Sequence, residues 1–147
     1  MKGRYVSLYL RKKTPLDLPD NYEDVVLEMT CDDGYVAYLN GHEIGRSANM
    51  ERAGSPPKFN YVVPNNHEID EGVDAIDLRR WSSILNPPPA LNTLAIQGHN
   101  GSRNSTDFSI RPRPKLQAGK YPSHASVRHV DLPLSPRPAR HGGEGAF

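Results

Sequence analysis

From Val6 the chain alternates apolar and polar side chains, with Val6, Leu8 and Leu10 set between Ser7, Tyr9 and Arg11. A period of two predicts a strand with one face on a core, and Pro15 argues against a central strand running through it. The pattern is cleaner from Asp24 to Asp32, where Val25, Leu27, Met29 and Cys31 point one way and Val26, Glu28, Thr30 and Asp32 the other. That predicts a core strand with one wetter face. Asp32-Asp33-Gly34 turns the chain there, because Asp side chains bond nearby amides and Gly accepts positive φ.

Tyr35 to Leu39 and His42 to Arg46 flank Asn40-Gly41, the pair best suited to a type I′ turn between antiparallel strands. After Ala53-Gly54-Ser55-Pro56-Pro57, which breaks regular structure, Phe59, Tyr61 and Val63 resume alternation up to Pro64. A loop and then a short strand are predicted for this stretch. Leu78, Trp81 and Leu85 fall at helical spacing and predict one or two turns of helix, stopped by Pro87-Pro88-Pro89. Leu94 to Asn100 reads as a strand with Leu94 and Ile96 on one face, and Phe108 and Ile110 repeat the alternation before Pro112 and Pro114 close the ordered part.

Six or seven short strands with at most one short helix predict an all-β fold, an antiparallel β-sandwich spanning residues 1–117. From Ala118 to Phe147 apolar periodicity fades. Pro122, Pro133, Pro136 and Pro138 with Gly142, Gly143 and Gly145 leave too little burial to offset chain entropy. A disordered Pro/Gly/Arg-rich tail is predicted over 118–147.

Composition narrows the function classes. The 18 basic and 17 acidic side chains nearly cancel, so the molecule lacks the overall field that draws proteins to nucleic acid, and no nucleic-acid partner is expected. Lys12, Lys13, Arg79 and Arg80 read as solvated surface. Cys31 is the only cysteine, which excludes an internal disulfide and a multi-cysteine zinc site and reads best as a small buried hydrophobe. No apolar run reaches membrane-spanning length, and Met1-Lys2-Gly3-Arg4-Tyr5 lacks the apolar stretch of a secretion signal, so no membrane insertion and no signal peptide are expected.

Three segments carry a resemblance. They are Tyr9-Leu10-Arg11-Lys12, the run Asp32-Asp33-Gly34-Tyr35-Val36-Ala37-Tyr38-Leu39-Asn40-Gly41-His42-Glu43-Ile44, and Leu91-Asn92-Thr93-Leu94-Ala95-Ile96-Gln97-Gly98-His99-Asn100. Together they resemble the galactose-binding-like jelly-roll domain of large secreted bacterial proteins, especially of planctomycete type. Asn104-Ser105-Thr106-Asp107-Phe108-Ser109-Ile110 stands in for that group's final Ser-Ser-Asp strand. The similarity covers about residues 5–112, and the group usually has further strands before the first segment, so a module incomplete at its N-terminus with an uncovered sheet edge is expected.

The resemblance implies a non-catalytic accessory module of a larger extracytoplasmic, multidomain protein, with polysaccharide or glycan as the partner. Sugar recognition needs an aromatic face and a few polar groups, and Trp81, Tyr35, Tyr61 and Asn100 are the candidates, each with a competing place in the core or on a strand face. No cofactor is required. A structural Ca²⁺, which such modules often carry, would draw on Asp32, Asp33 and Asp107, although turn formation explains these aspartates without metal. The six histidines, His42, His67, His99, His124, His129 and His141, show no close ligand pair. No nucleophile, base or phosphate-cradle signature appears, so no enzyme is expected; convergence of His99, Asp107 and Asp33 in one cleft would reopen that question. The alternative is a structural or protein-interaction spacer with no small-molecule ligand.

Overall fold

A computed structural model describes residues 3–18, 24–51, 53–65, 67–69 and 72–117. The predicted tail, 118–147, lies outside the described residues. In chain order the elements are β1 (Ser7–Thr14), β2 (Asp24–Cys31), β3 (Gly34–Leu39), β4 (His42–Arg46), β5 (Asp74–Asp77), a 3₁₀ helix (Leu78–Ile84), β6 (Asn92–His99) and β7 (Ile110–Gln117). They form two antiparallel sheets, ordered β1-β6-β3-β4 and β5-β2-β7. The chain changes sheet at every connection except the β3–β4 hairpin. This is the all-β antiparallel sandwich with one short helix that the alternation predicts.

The apolar positions of facing strands meet between the sheets. Val25, Leu27, Met29 and Cys31 of β2 pack with Tyr35, Ala37 and Leu39 of β3, Ile44, Ile76, Leu78 and Ile96. Trp81, Ile84, Leu85 and Ile110 close the margins of this core. Burial of the Cys31 thiol, and then the nearby Asp74, Asp32 and Asp33, push its pKa up to about 12. It is packing material rather than a nucleophile.

The β3–β4 turn has the predicted chemistry. Asn40 and Gly41 both take positive φ, 50° and 87°, as a type I′ turn requires. Asn40 also anchors one end of the sandwich. Its Oδ1 accepts from the Thr93 amide at 2.8 Å, and its Nδ2 donates to the Ile84 carbonyl at 2.8 Å and to Asn92 Oδ1 at 2.7 Å. Buried Asn92 in turn donates to the Asn86 carbonyl and accepts from the Asn86 amide. These bonds tie the hairpin to β6 and to the end of the 3₁₀ helix, and the polar groups they satisfy are costly to leave unmet.

Four local expectations need correction. β1 is largely exposed and does not set a full face on the core, with Tyr9 60% and Leu10 37% accessible; it is an edge strand of the four-stranded sheet, wider than the sheet it faces. Val26, predicted for the wetter side of β2, is buried. Phe59, Tyr61 and Val63 form no strand: Phe59 is exposed while Val63 is buried, and prolines on both sides limit ladder pairing. Pro112 and Pro114 do not end the ordered part but lie within β7, opposite Met29 and Leu27. Among the described residues β7 pairs only with β2, so two residues spaced by two can both turn their missing N–H away from that ladder.

Candidate functional site

The outer face of the four-stranded sheet carries a cleft. Alternation sends Tyr9 and Arg11 of β1, Thr93, Ala95 and Gln97 of β6, and Val36 and Tyr38 of β3 to the side opposite the core residues Tyr35, Ala37 and Leu39. Register places Tyr9, Gln97 and Val36 in one row and Arg11, Ala95 and Tyr38 in the next. The β4–β5 connection covers the first row: Met50 and Val63 pack on Val36, with Tyr38 and Tyr61 beside them. Where this cover stops, at Pro56, a cleft of about 420 Å³ opens, lined by Tyr9, Arg11, Tyr38, Thr93, Ala95 and Gln97. It is concave because the short Ala95 side chain sits between two long neighbours in its row.

Its polar groups are held in place. Gln97 Nε2 donates to the Tyr9 hydroxyl at 3.0 Å and to the Pro57 carbonyl at 2.9 Å, which fixes the amide and orients an otherwise exposed ring. The Tyr38 hydroxyl is buried with no hydrogen-bond partner among the described residues. Burial, and then the Glu43 carboxylate, raise its pKa, while Arg46 opposes them. Glu43 is itself held by buried Arg46 through two bonds, Nε to Oε1 at 2.6 Å and Nη2 to Oε2 at 2.7 Å. Arg46 also donates to the Glu51 and Ser55 carbonyls, which pins the covering loop to β4.

The residues singled out in the sequence take other places. Tyr35 is fully buried, and its hydroxyl donates to Asp74 Oδ2 at 2.9 Å; no ring face reaches solvent for a sugar. Burial, and then Asp74, raise its pKa well above the usual phenol value. Asn100 is buried and donates from Nδ2 to the Asp107 carbonyl. Tyr61 packs with the loop that covers Val36, and its ring meets His99 edge-on at 5.5 Å. Trp81 is part-buried at the margin of the core. Tyr61 and Asn100 lie near one another, since the Val63 amide donates to the Asn100 carbonyl, whereas Trp81 sits on the 3₁₀ helix that connects β5 to β6.

Asp32, Asp33 and Asp107 gather at the end of the sandwich opposite the Asn40 turn. Asp33 has positive φ and accepts the Gly101 amide on Oδ2 at 2.6 Å; Asp107 accepts from Ser105 Oγ. The Asp33 carboxylate thus ties its turn to the start of the β6–β7 connection, while Asp107 bonds within its own loop. Burial, then Asp33, Asp107 and Glu68, push the Asp32 carboxyl up to about 6, with His67 opposing. Among the described residues no group of three or more His, Cys, Asp and Glu side chains is arranged to hold a metal ion. His99 is fully buried on the outer face, one ring nitrogen 2.9 Å from the Tyr61 carbonyl and Nε2 without a partner among the described residues. Burial lowers its pKa, partly offset by that carbonyl.

Comparison with protein-family models, curated proteins and solved structures finds no match to this chain. The cleft therefore stands on its own geometry. Among the described residues, no helix is long and apolar enough to cross a membrane. Sequence reasoning missed Tyr9, Tyr38 and Gln97, whose positions become neighbours only through the β1–β6–β3 register. The one available signal was the phase of alternation, which puts Tyr9 with Arg11 and sets Tyr38 opposite Tyr35.

Proposed function

We propose that this chain is a non-catalytic carbohydrate-binding module of a larger extracytoplasmic protein, with its sugar seated in the cleft on the outer face of the four-stranded sheet. The observation that carries the reading is Tyr9: a phenol ring 60% open to solvent, fixed through its hydroxyl by Gln97 at the lip of a concave floor. An ordered aromatic face offers the C–H face of a pyranose a platform at little entropic cost. Thr93, Gln97 and Arg11 line the same cleft and supply hydroxyl-reading groups. Resemblance of the Asp-Asp-Gly to Asn-Gly hairpin and of the Leu91–Asn100 segment to galactose-binding-like modules supports the same conclusion.

The test is a glycan array followed by pull-down on insoluble polysaccharides with the full chain. Binding is expected, and Tyr9→Ala is expected to weaken it roughly tenfold, the size of one lost aromatic contact, with an unchanged melting temperature because the ring lies outside the core. No retention on any glycan would overturn the reading in favour of a structural or protein-interaction spacer.

A further inference from the structure

We infer that the sugar this cleft takes is anionic, a uronate or sulfate-bearing glycan whose acid group is read by Arg11. The inference rests on the carbohydrate reading above and deepens it. β1 presents Tyr9, Arg11 and Lys13 on one face by alternation, with Lys13 beside Thr93, so a cation flanks the aromatic platform on the cleft side and a second follows it. Arg11 lines the cleft, and both cations are exposed. None of the ion pairs among the described residues, Arg46–Glu43, Arg80–Asp77 and Lys115–Glu28, engages Arg11 or Lys13.

The neighbouring acid does not cancel this charge. Glu43 stands beside Tyr38 in the β3–β4 register, and its two carboxylate oxygens are taken by Arg46. The cleft thus has an aromatic face, neutral hydrogen-bonding groups in Gln97 and Thr93, and an arginine whose planar fork matches a carboxylate or sulfate in paired bonds. To a neutral sugar that arginine offers only ordinary hydrogen bonds to hydroxyls, whereas an acidic one placed on Tyr9 meets it as a charge partner within the same cleft.

Matched polymers separate the possibilities: dextran against dextran sulfate, and polygalacturonate against its methyl ester, each titrated into the full chain at low and high salt, with a single-stranded oligonucleotide as the polyanion control. Acidic forms are expected to bind at least roughly tenfold tighter than their neutral partners, with the preference shrinking in salt. Whichever acidic pair shows the larger preference identifies carboxylate or sulfate. Arg11→Gln is expected to erase that preference, a loss of roughly ten- to a hundredfold for one charge-assisted contact, and Arg11→Lys to restore part of it. Equal binding of neutral and acidic polymers, with Arg11→Gln silent, overturns the acidic assignment while leaving the carbohydrate reading intact. Oligonucleotide binding as tight as the acidic glycan's overturns it as mere charge attraction, and absence of binding to every polymer removes both.

Discussion

Tyr35 and Tyr38 lie three residues apart on β3 and face opposite ways. Tyr35 points between the sheets, fully buried, with its hydroxyl satisfied by Asp74. Tyr38 points to the outer face, beside the cleft, with a buried hydroxyl that has no partner among the described residues. One face of the sheet meets every polar atom it buries at this strand, and the other leaves one unmet next to an open concavity. A strand's alternation thus divides a single short sequence into structural and recognition surfaces, and residue type alone does not tell them apart.

The sharpest way to separate the two faces is to empty the inner one. Leu27→Ala, at a site 1% exposed in the centre of the core, is expected to cost about 2–5 kcal/mol of stability, read by urea denaturation. Glycan affinity of the remaining folded protein should be unchanged, because Leu27 faces away from the cleft. A loss of affinity in step with stability would mean that the two faces are not independent.

The tyrosines themselves come next. Tyr35→Phe removes a buried donor to the half-buried Asp74 carboxylate and is expected to cost about 1–3 kcal/mol. Tyr38→Phe removes an oxygen that is already unpaired and is expected to change stability by no more than about 0.5 kcal/mol. Equal costs by chemical denaturation would erase the contrast drawn between them.

A smaller effect follows from pH. Asp32 has its carboxyl raised from 3.8 to about 6, so the folded state holds that proton more tightly than the unfolded chain. Its stabilising contribution is complete below 3.8 and is lost as pH rises through about 6. Asp32→Asn should therefore melt higher than the parent at pH 7, by about 1–2 kcal/mol after solvent screening, with the gain vanishing near pH 4. His99 pulls the other way, since its lowered pKa means that stability falls as acid protonates it below its ordinary value of 6.5. Melting curves of parent and variant between pH 4 and 8 separate the two, and a gain that persisted at pH 4 would show that Asp32 is not the titrating group.

The legible parts of the fold were those with local causes. β2 announces itself through four alternating apolar residues, and the hairpin through Asn40-Gly41, whose positive φ values are a property of the dipeptide. β5 escaped notice because Asp74–Asp77 is four residues long with Ile76 alone buried. β7 was cut short because proline signals an end except on an edge, and which strand lies at an edge is decided by the whole sheet. The cleft was hidden for the same reason. Tyr9, Tyr38 and Gln97 are brought together by long-range pairing, while the aromatics that looked available, Tyr35 above all, were claimed by the core.

The Asn40-Gly41 turn also sets how the protein ages. In an Asn-Gly sequence the glycine amide nitrogen reaches the asparagine carbonyl carbon with no Cβ in the way, which is why such pairs shed ammonia readily once the chain is loose. In the folded hairpin the Asn40 amide is gripped by the Thr93 amide, the Ile84 carbonyl and Asn92, and that grip holds the reacting atoms in one orientation. Hydrolysis to aspartate would aim a carboxylate at two oxygens, the Ile84 carbonyl and Asn92 Oδ1, and turn two attractions into repulsions. Molecules that spend time unfolded would accumulate this lesion faster than folded ones and return to a sandwich whose hairpin has lost its hold on the 3₁₀ helix.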